Sequence, residues 1–266
     1  MAAPGHDHPK IVVLDFGSQV SQLIARRLRE VQVFSELRPY TAWREVLEDP
    51  LVQGIVLSGG PASVMEPGAP QVGQEIWTAG KPLLGICYGM QLMCHDLGGS
   101  LAPAANREYG HAEIDILDHG TIFAGQPARQ PVWMSHGDRV DALPPGFTAL
   151  ARTEHIPFAA AADPSRRFYG VQFHPEVAHT AHGLEMIEAF ARQVCGVADH
   201  WTAAAFVEEA VAAIREQVGD RRVLCAVSGG VDSTVMATLV DRAIGDNLHG
   251  VYVDNGVMRE GESDQV

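Results

Sequence analysis

Through the first hundred positions, short runs of apolar residues alternate with segments in which apolar residues recur every three or four positions. The continuous runs predict buried strands and the spaced patterns predict amphipathic helices. The runs are residues 11–14, 31–37, 54–57 and 81–86, and the helical patterns are 19–30, 43–47 and 88–97. This strand–helix alternation predicts a mostly parallel β-sheet with helices on both faces.

The pattern changes between about residues 110 and 175, where shorter apolar stretches are separated by proline and glycine. The clearest stretches are residues 114–117, 132–134 and 168–173. Short strands separated by turns predict antiparallel additions to the sheet. The predicted fold class is therefore α/β, with a mixed but mostly parallel sheet.

A domain boundary is predicted near residue 196. After the stretch at 196–202 (GVADHWT), apolar residues recur every four positions over 203–218, which indicates an amphipathic helix. A strand at 223–227, a glycine-rich turn, a helix at 234–244 and a strand at 248–253 follow. We therefore divide the chain into domains at 9–196 and 197–266. Because a single βαβ unit cannot cover its own sheet, we expect the second α/β domain to be incomplete at residue 266.

Composition and charge exclude several classes of function. The chain has 266 residues, of which 46% are apolar, and its 19 basic and 33 acidic side chains give a net charge of −14. A surface this acidic lacks the basic footprint that nucleic acid or anionic membrane requires, so neither is predicted as a partner. No run approaches the ~18 consecutive apolar residues of a membrane span. The four cysteines include no CxxC pair and fit a reducing compartment, so a cytoplasmic protein is expected.

Residues 85–89 have the form G-x-C-x-G at the junction of a predicted strand and a predicted helix. This is the thiol counterpart of the G-x-S-x-G nucleophile elbow, in which the flanking glycines leave room for a sharp turn. The N-terminus of the following helix adds unpaired N–H groups and partial positive charge, which favour a thiolate. We therefore interpret Cys87 as a nucleophile, although a buried structural cysteine is the alternative. Cys94 has no flanking glycines and is interpreted as structural.

A nucleophilic thiolate needs a histidine to transfer protons, and the histidine needs an orienting carboxylate. Among 12 histidines, His174 is the best candidate because a predicted strand ends there. Glu176 follows two positions later, a spacing that places both side chains on the same side of a strand. The carboxyl ends of parallel strands gather at one edge of a sheet, so His174 is expected near Cys87. Considered without Cys87, His174 would be interpreted as structural.

Two further turns contain paired glycines. The turn at 58–61 (SGGP) follows a predicted strand, and with the Tyr88 amide N–H it could form an oxyanion hole. The turn at 228–233 (SGGVDS) lies between a strand and a helix, where free N–H groups and the helix dipole can bind a phosphate. Asp232 could help to hold Mg²⁺ beside the phosphates. The alternative is a glycine turn in which Asp232 and Ser233 cap the helix.

Together these motifs resemble those of known enzyme families. Residues 85–91 (GICYGMQ) and 171–177 (VQFHPEV) resemble the catalytic motifs of class I glutamine amidotransferases, and 228–233 resembles the pyrophosphate loop of N-type ATP pyrophosphatases. Their order, together with 14–19 (LDFGSQ), 133–138 (WMSHGD) and 253–256 (VDNG), is similar to that of glutamine-hydrolysing GMP synthases. Val20 and Ser21 stand where this pattern has Tyr and Thr, a departure that affects helix packing rather than chemistry.

The resemblance implies a role for each residue. Cys87 would attack the side-chain amide of glutamine, with His174 and Glu176 completing a catalytic triad. The N–H groups of Gly60 and Tyr88 would hold the oxyanion. The glutamine pocket would include Gln91, Ser135 and His136. ATP would be bound by Ser228, Gly229, Gly230, Val231, Asp232, Ser233 and Thr234, with Asp232 as the candidate Mg²⁺ ligand.

The same resemblance implies an overall reaction in purine nucleotide biosynthesis. Ammonia from glutamine would aminate xanthosine monophosphate that ATP has activated, giving GMP. ATP and Mg²⁺ are expected in the second domain, no cofactor is expected for the glutaminase step, and full-length members are expected to be homodimers. Because the ATP domain is expected to be incomplete, we expect this chain to make no GMP and to retain at most glutaminase activity. A cysteine hydrolase or peptidase, or a non-catalytic glutamine-binding module, stays open as an alternative.

Overall fold

The computed structural model describes residues 8–198, 201–253 and 261, and for residues 104–108 it describes the backbone. These residues fall into two compact units, one within His8–His200 and the other within Trp201–Val266. The domain boundary predicted at residue 196 lies close to this division. Residues 254–256, which belong to the VDNG motif at 253–256, lie outside the described residues. Each unit is described by itself.

The first unit is built on a nine-stranded sheet with the order β2-β1-β3-β4-β9-β8-β7-β5-β6. Five strands are mutually parallel: β1 (Lys10–Asp15), β2 (Ser35–Pro39), β3 (Val52–Leu57), β4 (Leu83–Ile86) and β9 (Phe168–Val171). Antiparallel pairing adds β5 (Ser100–Ile116), β6 (Arg129–Ala142), β7 (Thr148–Arg152) and β8 (Ala160–Asp163). The predicted α/β fold with antiparallel additions is confirmed.

Helices cover both faces of this sheet because successive strand residues point to opposite sides. In β1, Ile11 and Val13 pack into one hydrophobic core, whereas Val12 and Leu14 pack into the other. The first core also contains apolar side chains of α1 (Ser21–Glu30) and α4 (Gly183–Ala189). The second contains those of α2 (Trp43–Glu48) and α3 (Tyr88–Asp96).

The strand predicted over residues 31–37 is wrong in its first half. The N–H groups of Val31, Gln32 and Val33 bond to carbonyls of the last turn of α1, so these residues close the helix. Strand β2 therefore begins at Ser35. Val33 is fully buried in this turn, which explains why its apolar character resembles that of a strand residue.

Strands β5 and β6 span 17 and 14 residues, so the prediction of short strands in this region is wrong. They pair as a long antiparallel ribbon at the edge of the sheet. In β6 the alternately buried positions include Gln130 and His136 as well as Val132 and Met134. Gln130 and His136 are buried but polar, so the apolar pattern of the sequence does not extend to them. Only the apolar residues between them, Val132 and Met134, indicate a strand.

The second unit contains α5 (Ala203–Val218), β10 (Val223–Val227), α6 (Val231–Ile244) and β11 (Leu248–Tyr252), with β10 and β11 parallel. Helix α5 and strand β10 coincide with the predicted ranges. Helix α6 begins at Val231, earlier than the predicted 234, because Gly230 is its N-cap and the glycine turn leads directly into it. Within the part of the chain that the structure describes, no helix is both long and apolar enough to cross a membrane.

Candidate active site

Cys87 lies between β4 and α3 in a backbone conformation that few residues other than glycine adopt. Its φ is +49° and its ψ is −104°. The Cys87 N–H donates to the Val171 carbonyl at 2.8 Å, which ties the turn to the neighbouring strand β9. Backbone strain of this kind costs roughly 1–3 kcal/mol and persists where the surroundings enforce it, commonly at functional sites. The sharp turn that the sequence predicts is therefore present.

The glycines on either side of Cys87 are required by close approach of the backbone. A Cβ at Gly85 would lie 2.6 Å from the Gly89 carbonyl carbon. A Cβ at Gly89 would lie 2.3 Å from the Leu57 carbonyl oxygen. Both distances are shorter than real Cβ contacts, so a side chain at either position would displace the backbone that carries the thiol.

Replacing Gly89 with alanine is expected to lower the free energy of unfolding by about 1–3 kcal/mol, the usual cost of overpacking. Gly137→Ala in β6 is the matched control, because a Cβ there would meet only the Tyr109 hydroxyl at 4.0 Å. Denaturant unfolding of both variants measures the difference. Equal stability of the two variants would show that the elbow is not tightly packed.

His174 and Glu176 lie beside Cys87, as predicted. The His174 Nδ1 atom is 2.8 Å from Glu176 Oε1, and the His174 ring also hydrogen-bonds with the Cys87 side chain. Because Nδ1 faces Glu176, Nε2 is the ring nitrogen left for the sulfur. The exposed fractions of Cys87, His174 and Glu176 are only 5%, 7% and 0%. The three predicted residues thus form one buried, hydrogen-bonded chain.

Neighbouring parallel strands bring these residues together, since Ile86 at the end of β4 pairs with Val171 at the end of β9. His174 itself lies beyond the strand, directly after a bend at residues 172–173, so the strand prediction for those two residues is wrong. The His174–Glu176 contact therefore comes from this bend and not from strand periodicity. The bend is anchored to β6, because the His174 N–H donates to the Trp133 carbonyl at 2.9 Å. The Thr180 hydroxyl donates to the His174 carbonyl at 2.6 Å.

The charge state of His174 is set by its two partners. Burial alone would lower the pKa of His174, but hydrogen bonds with Cys87 and Glu176, and the charges of both, raise the pKa to about 10. At neutral pH the ring is therefore held as an imidazolium between a carboxylate and a sulfur. A protonated ring in this place can deliver a proton to a leaving group.

The raised pKa of His174 predicts a pH dependence of folding stability. The pKa of His174 rises from its ordinary value of 6.5 to about 10 in the folded state, so the protonated ring stabilises the fold. This contribution to the free energy of unfolding is complete below about pH 6.5 and is lost as the pH rises through 10. Glu176→Gln removes one of the two partners and is expected to lower the pKa of His174. NMR titration of the ring measures this, with Glu185→Gln as control, since Glu185 is paired with His182 at 3.5 Å on the surface. An unchanged pKa of His174 in Glu176→Gln would contradict the prediction.

The turn at 58–61 lies over the triad. A Cβ at Gly59 would be 3.2 Å from His174 Cε1 and 3.8 Å from the Cys87 Cβ. A Cβ at Gly60 would be 2.8 Å from the Phe16 carbonyl oxygen. Among the described residues, neither the Gly60 nor the Tyr88 amide N–H makes a hydrogen bond. Both predicted oxyanion donors are therefore free, and Tyr88 is the first residue of helix α3.

A cavity of about 440 Å³ opens at Cys87, a size typical of small-molecule sites. All three predicted glutamine-pocket residues, Gln91, Ser135 and His136, line it. The Gln91 Nε2 donates to the Asp138 carbonyl at 2.8 Å, and the His136 Nδ1 lies 3.0 Å from the same oxygen. The long strand β6 thus forms one wall of the cavity.

A larger cavity, of about 930 Å³, lies along β5, β6 and β7 and does not include Cys87 among its lining residues. Its walls carry exposed charges that pair with one another, such as Arg129 and Glu113 at 2.5 Å. Its lining, as far as the structure describes it, includes Thr153, Glu154 and His155 but no cysteine. The candidate nucleophile Cys87 therefore opens onto the smaller cavity and not onto this one.

Sequence reasoning missed two groups that contact the sulfur. The Ser135 carbonyl oxygen lies 3.5 Å from Cys87 Sγ, and the Gln172 Nε2 lies 3.7 Å from it. The motif resemblance places Ser135 in the glutamine pocket and not in contact with the sulfur. Gln172 stands inside the motif that contains His174, and this position is the only signal for it. No sequence pattern indicates the carbonyl contact, which depends on how β6 lies against the elbow.

In the second unit, the glycine turn before α6 is held together by its hydroxyls. Ser228 Oγ and Ser233 Oγ are 3.1 Å apart, and the Ser233 and Thr234 hydroxyls donate to the Gly230 carbonyl at 2.9 and 3.0 Å. Gly229 has a φ of +77°. The first N–H groups of a helix have no partner within the helix, so this turn suits an anion.

The candidate Mg²⁺ ligand, Asp232, lies exposed in the first turn of α6. Within the residues described by the structure, no group of three or more His, Cys, Asp or Glu side chains could hold a metal ion. Oxygen atoms of bound phosphates commonly supply the remaining Mg²⁺ ligands. Binding of Mg²⁺ by Asp232 stays a prediction.

Comparison with known proteins identifies the family of the first unit. The family described as Glutamine amidotransferase class-I matches residues 12–194. A glutamine-hydrolysing GMP synthase of Heliobacterium modesticaldum is 53% identical over 266 residues, covering 100% of this chain and 51% of the relative. That of Thermomicrobium roseum is 55% identical over 256 residues, covering 96% of this chain and 48% of the relative.

Among solved structures, a Thermoplasma acidophilum protein assigned as part of a GMP synthase superposes with a TM-score of 0.60 at 30% identity. The match covers 72% of this chain and 96% of that protein. The chain spans about half the length of the two GMP synthases above. The family match covers the elbow, the triad and the cavity, and the chain therefore belongs to the class-I glutamine amidotransferase family.

Proposed function

We propose that this chain hydrolyses the side-chain amide of glutamine to glutamate and ammonia, with Cys87 as nucleophile, His174 as proton carrier and Glu176 as its orienting carboxylate. The observation that carries the proposal is the buried Cys87–His174–Glu176 chain at a strained elbow that opens into a cavity of about 440 Å³. Family membership identifies the substrate class, because these enzymes take their nitrogen from glutamine.

In the first half-reaction the Cys87 sulfur attacks the amide carbon of glutamine. The N–H groups of Gly60 and Tyr88 stabilise the negative oxygen of the tetrahedral intermediate. Removal of one such donor typically lowers kcat by about 10²–10³-fold. When the intermediate collapses, the carbon–nitrogen bond breaks and the His174 imidazolium protonates the departing amine. Ammonia leaves, and the glutamyl group remains on sulfur as a thioester.

In the second half-reaction the neutral His174 ring takes a proton from water, and the resulting hydroxide attacks the thioester. The same two N–H groups hold the second oxyanion. Collapse breaks the carbon–sulfur bond, releases glutamate and returns the pair of Cys87 thiolate and His174 imidazolium. Glu176 keeps Nδ1 protonated throughout, so that Nε2 always faces the reacting atoms.

We also propose that the whole protein is a GMP synthase that uses this ammonia to aminate xanthosine monophosphate activated by ATP. The names of the relatives support it, and so does their identity of 53% and 55% over 100% and 96% of this chain. The turn at 228–233 and Thr234 would hold the phosphates of ATP through the N–H groups at the start of α6. Asp232 would contribute to Mg²⁺ binding beside them.

A substrate comparison tests the glutaminase proposal. The purified protein is incubated with glutamine, with asparagine and with a peptide substrate, and released ammonia, amino acid and peptide fragments are quantified. We expect equal amounts of glutamate and ammonia from glutamine and no turnover of the other two. Cleavage of the peptide without glutamine hydrolysis would favour the cysteine peptidase alternative instead.

A further inference from the structure

A chain of carboxamides connects the wall of the cavity to the nucleophile. The Gln91 Nε2 donates to the Asp138 carbonyl at 2.8 Å and to the Gln172 Oε1 at 3.3 Å. The Gln172 Nε2 in turn donates to Cys87 Sγ at 3.7 Å. Gln91 is 4% exposed and Gln172 is fully buried, so neither amide can exchange these partners for bulk water.

The Asp138 carbonyl fixes the direction of this chain. A carbonyl oxygen only accepts hydrogen bonds, so Gln91 must turn its NH₂ group toward it. The same NH₂ group faces Gln172, which must therefore present its oxygen there. The NH₂ group of Gln172 is left facing the sulfur. The direction of both amides thus follows from one backbone oxygen.

Besides His174, two polar groups contact the sulfur, and these two favour opposite protonation states. The Ser135 carbonyl, 3.5 Å away, can accept a hydrogen bond only from the protonated thiol. The Gln172 N–H can donate to the thiolate, whose hydrogen bonds are strengthened by its charge. When the thiol proton moves to His174 Nε2, the contact with Ser135 is lost and the contact with Gln172 is strengthened.

We propose that Gln172 stabilises the thiolate form of Cys87, and that Gln91 is a positioning residue that orients Gln172. This inference rests on the role of Cys87 as nucleophile proposed above. It gives Gln91 a second task besides lining the glutamine pocket. Because Gln91 and Asp138 both line the cavity, a ligand bound there adjoins the same carboxamide chain that reaches the sulfur.

Alkylation of Cys87 by iodoacetamide tests the proposal without requiring turnover of glutamine. The rate, followed by mass spectrometry of the Cys87 peptide, reports the thiolate fraction because only the thiolate reacts. Loss of a hydrogen bond to a charged group predicts a fall of about 10-fold or more at pH 7 in Gln172→Leu. Gln172→Glu has the same shape but replaces the donor with a carboxylate, and we expect at least the same fall.

Gln126→Leu is the matched control, because Gln126 and Gln130 form another buried carboxamide pair at 2.7 Å that does not contact the sulfur. We expect its alkylation rate to equal that of the wild type. At high pH the rates of all the proteins should converge, because the thiol is ionised in each; restricted access to the sulfur would lower the rate at every pH. Near-UV circular dichroism shows whether Gln172→Leu is folded. If it is not, the alkylation rate of Gln172→Glu tests the proposal instead.

A wild-type alkylation rate in Gln172→Glu, or in a folded Gln172→Leu, would overturn the proposal. A rate that falls equally at every pH would overturn it as well, since it would indicate a structural effect. The failure of the glutaminase proposal has a different signature, namely glutamine hydrolysis that survives in Cys87→Ala. The two proposals can therefore fail independently of each other.

Discussion

Replacing Cys87 with alanine is expected to lower glutamine hydrolysis by at least about 10³-fold, because removal of a covalent nucleophile leaves only binding and the oxyanion donors. The fold should persist, since alanine fits where the thiol is. The strained backbone at this position is held by its neighbours, including the hydrogen bond from the Cys87 N–H to the Val171 carbonyl. Ammonia release, measured at saturating glutamine, gives the ratio of kcat values.

Cys94→Ala is the matched control for this variant. Cys94 lies in the same helix, is fully buried, and has its pKa raised to about 12 by that burial, so it has no thiolate at neutral pH. We expect Cys94→Ala to hydrolyse glutamine at close to the wild-type rate. Similar activities in the two variants would show that the elbow thiol is not the nucleophile.

Replacing His174 with glutamine is expected to lower kcat by about 10³-fold or more, because one ring carries the proton in both half-reactions. Glutamine retains a side chain that can hydrogen-bond to Glu176 but cannot be protonated at neutral pH. The KM for glutamine should change little, since the cavity walls that bind it are untouched. This split between kcat and KM distinguishes a chemical role from a general loss of structure.

His179→Gln serves as its control, because His179 is exposed and packs on Trp133 with ring centroids 4.6 Å apart. It lies on the same loop as His174 but does not contact the sulfur. Near-wild-type activity is expected for it. A His174→Gln variant that kept more than a tenth of the wild-type kcat would contradict the assignment of His174 as proton carrier.

The elbow can be predicted from sequence because its requirements are local. A nucleophile on a sharp strand-to-helix turn needs small residues close to it in the chain, and Gly85 and Gly89 meet that requirement. The central strands are predictable for a similar reason, since residues buried on both faces form continuous apolar runs. The same rule misleads at residues 31–34, because Val33 and Phe34 are buried after the end of α1 and are as apolar as strand residues.

The rest of the site depends on contacts between distant parts of the chain. The predicted proximity of His174 and Glu176 is correct, although a bend and not strand periodicity brings them together. The contacts of the sulfur with Gln172 and with the Ser135 carbonyl follow from the way the segment after β9 and strand β6 approach the elbow. A backbone carbonyl carries no residue-specific signal, so such a contact can be found only in three dimensions.

The most direct test of the nucleophile is covalent labelling with a glutamine-derived diazo-ketone, followed by mass spectrometry of the four cysteine peptides. We expect one label per chain, located on Cys87, and protection from it by excess glutamine. Labelling on Cys94, Cys195 or Cys225, or labelling of Cys87 that glutamine does not slow, would contradict a glutamine-specific thiol at the elbow.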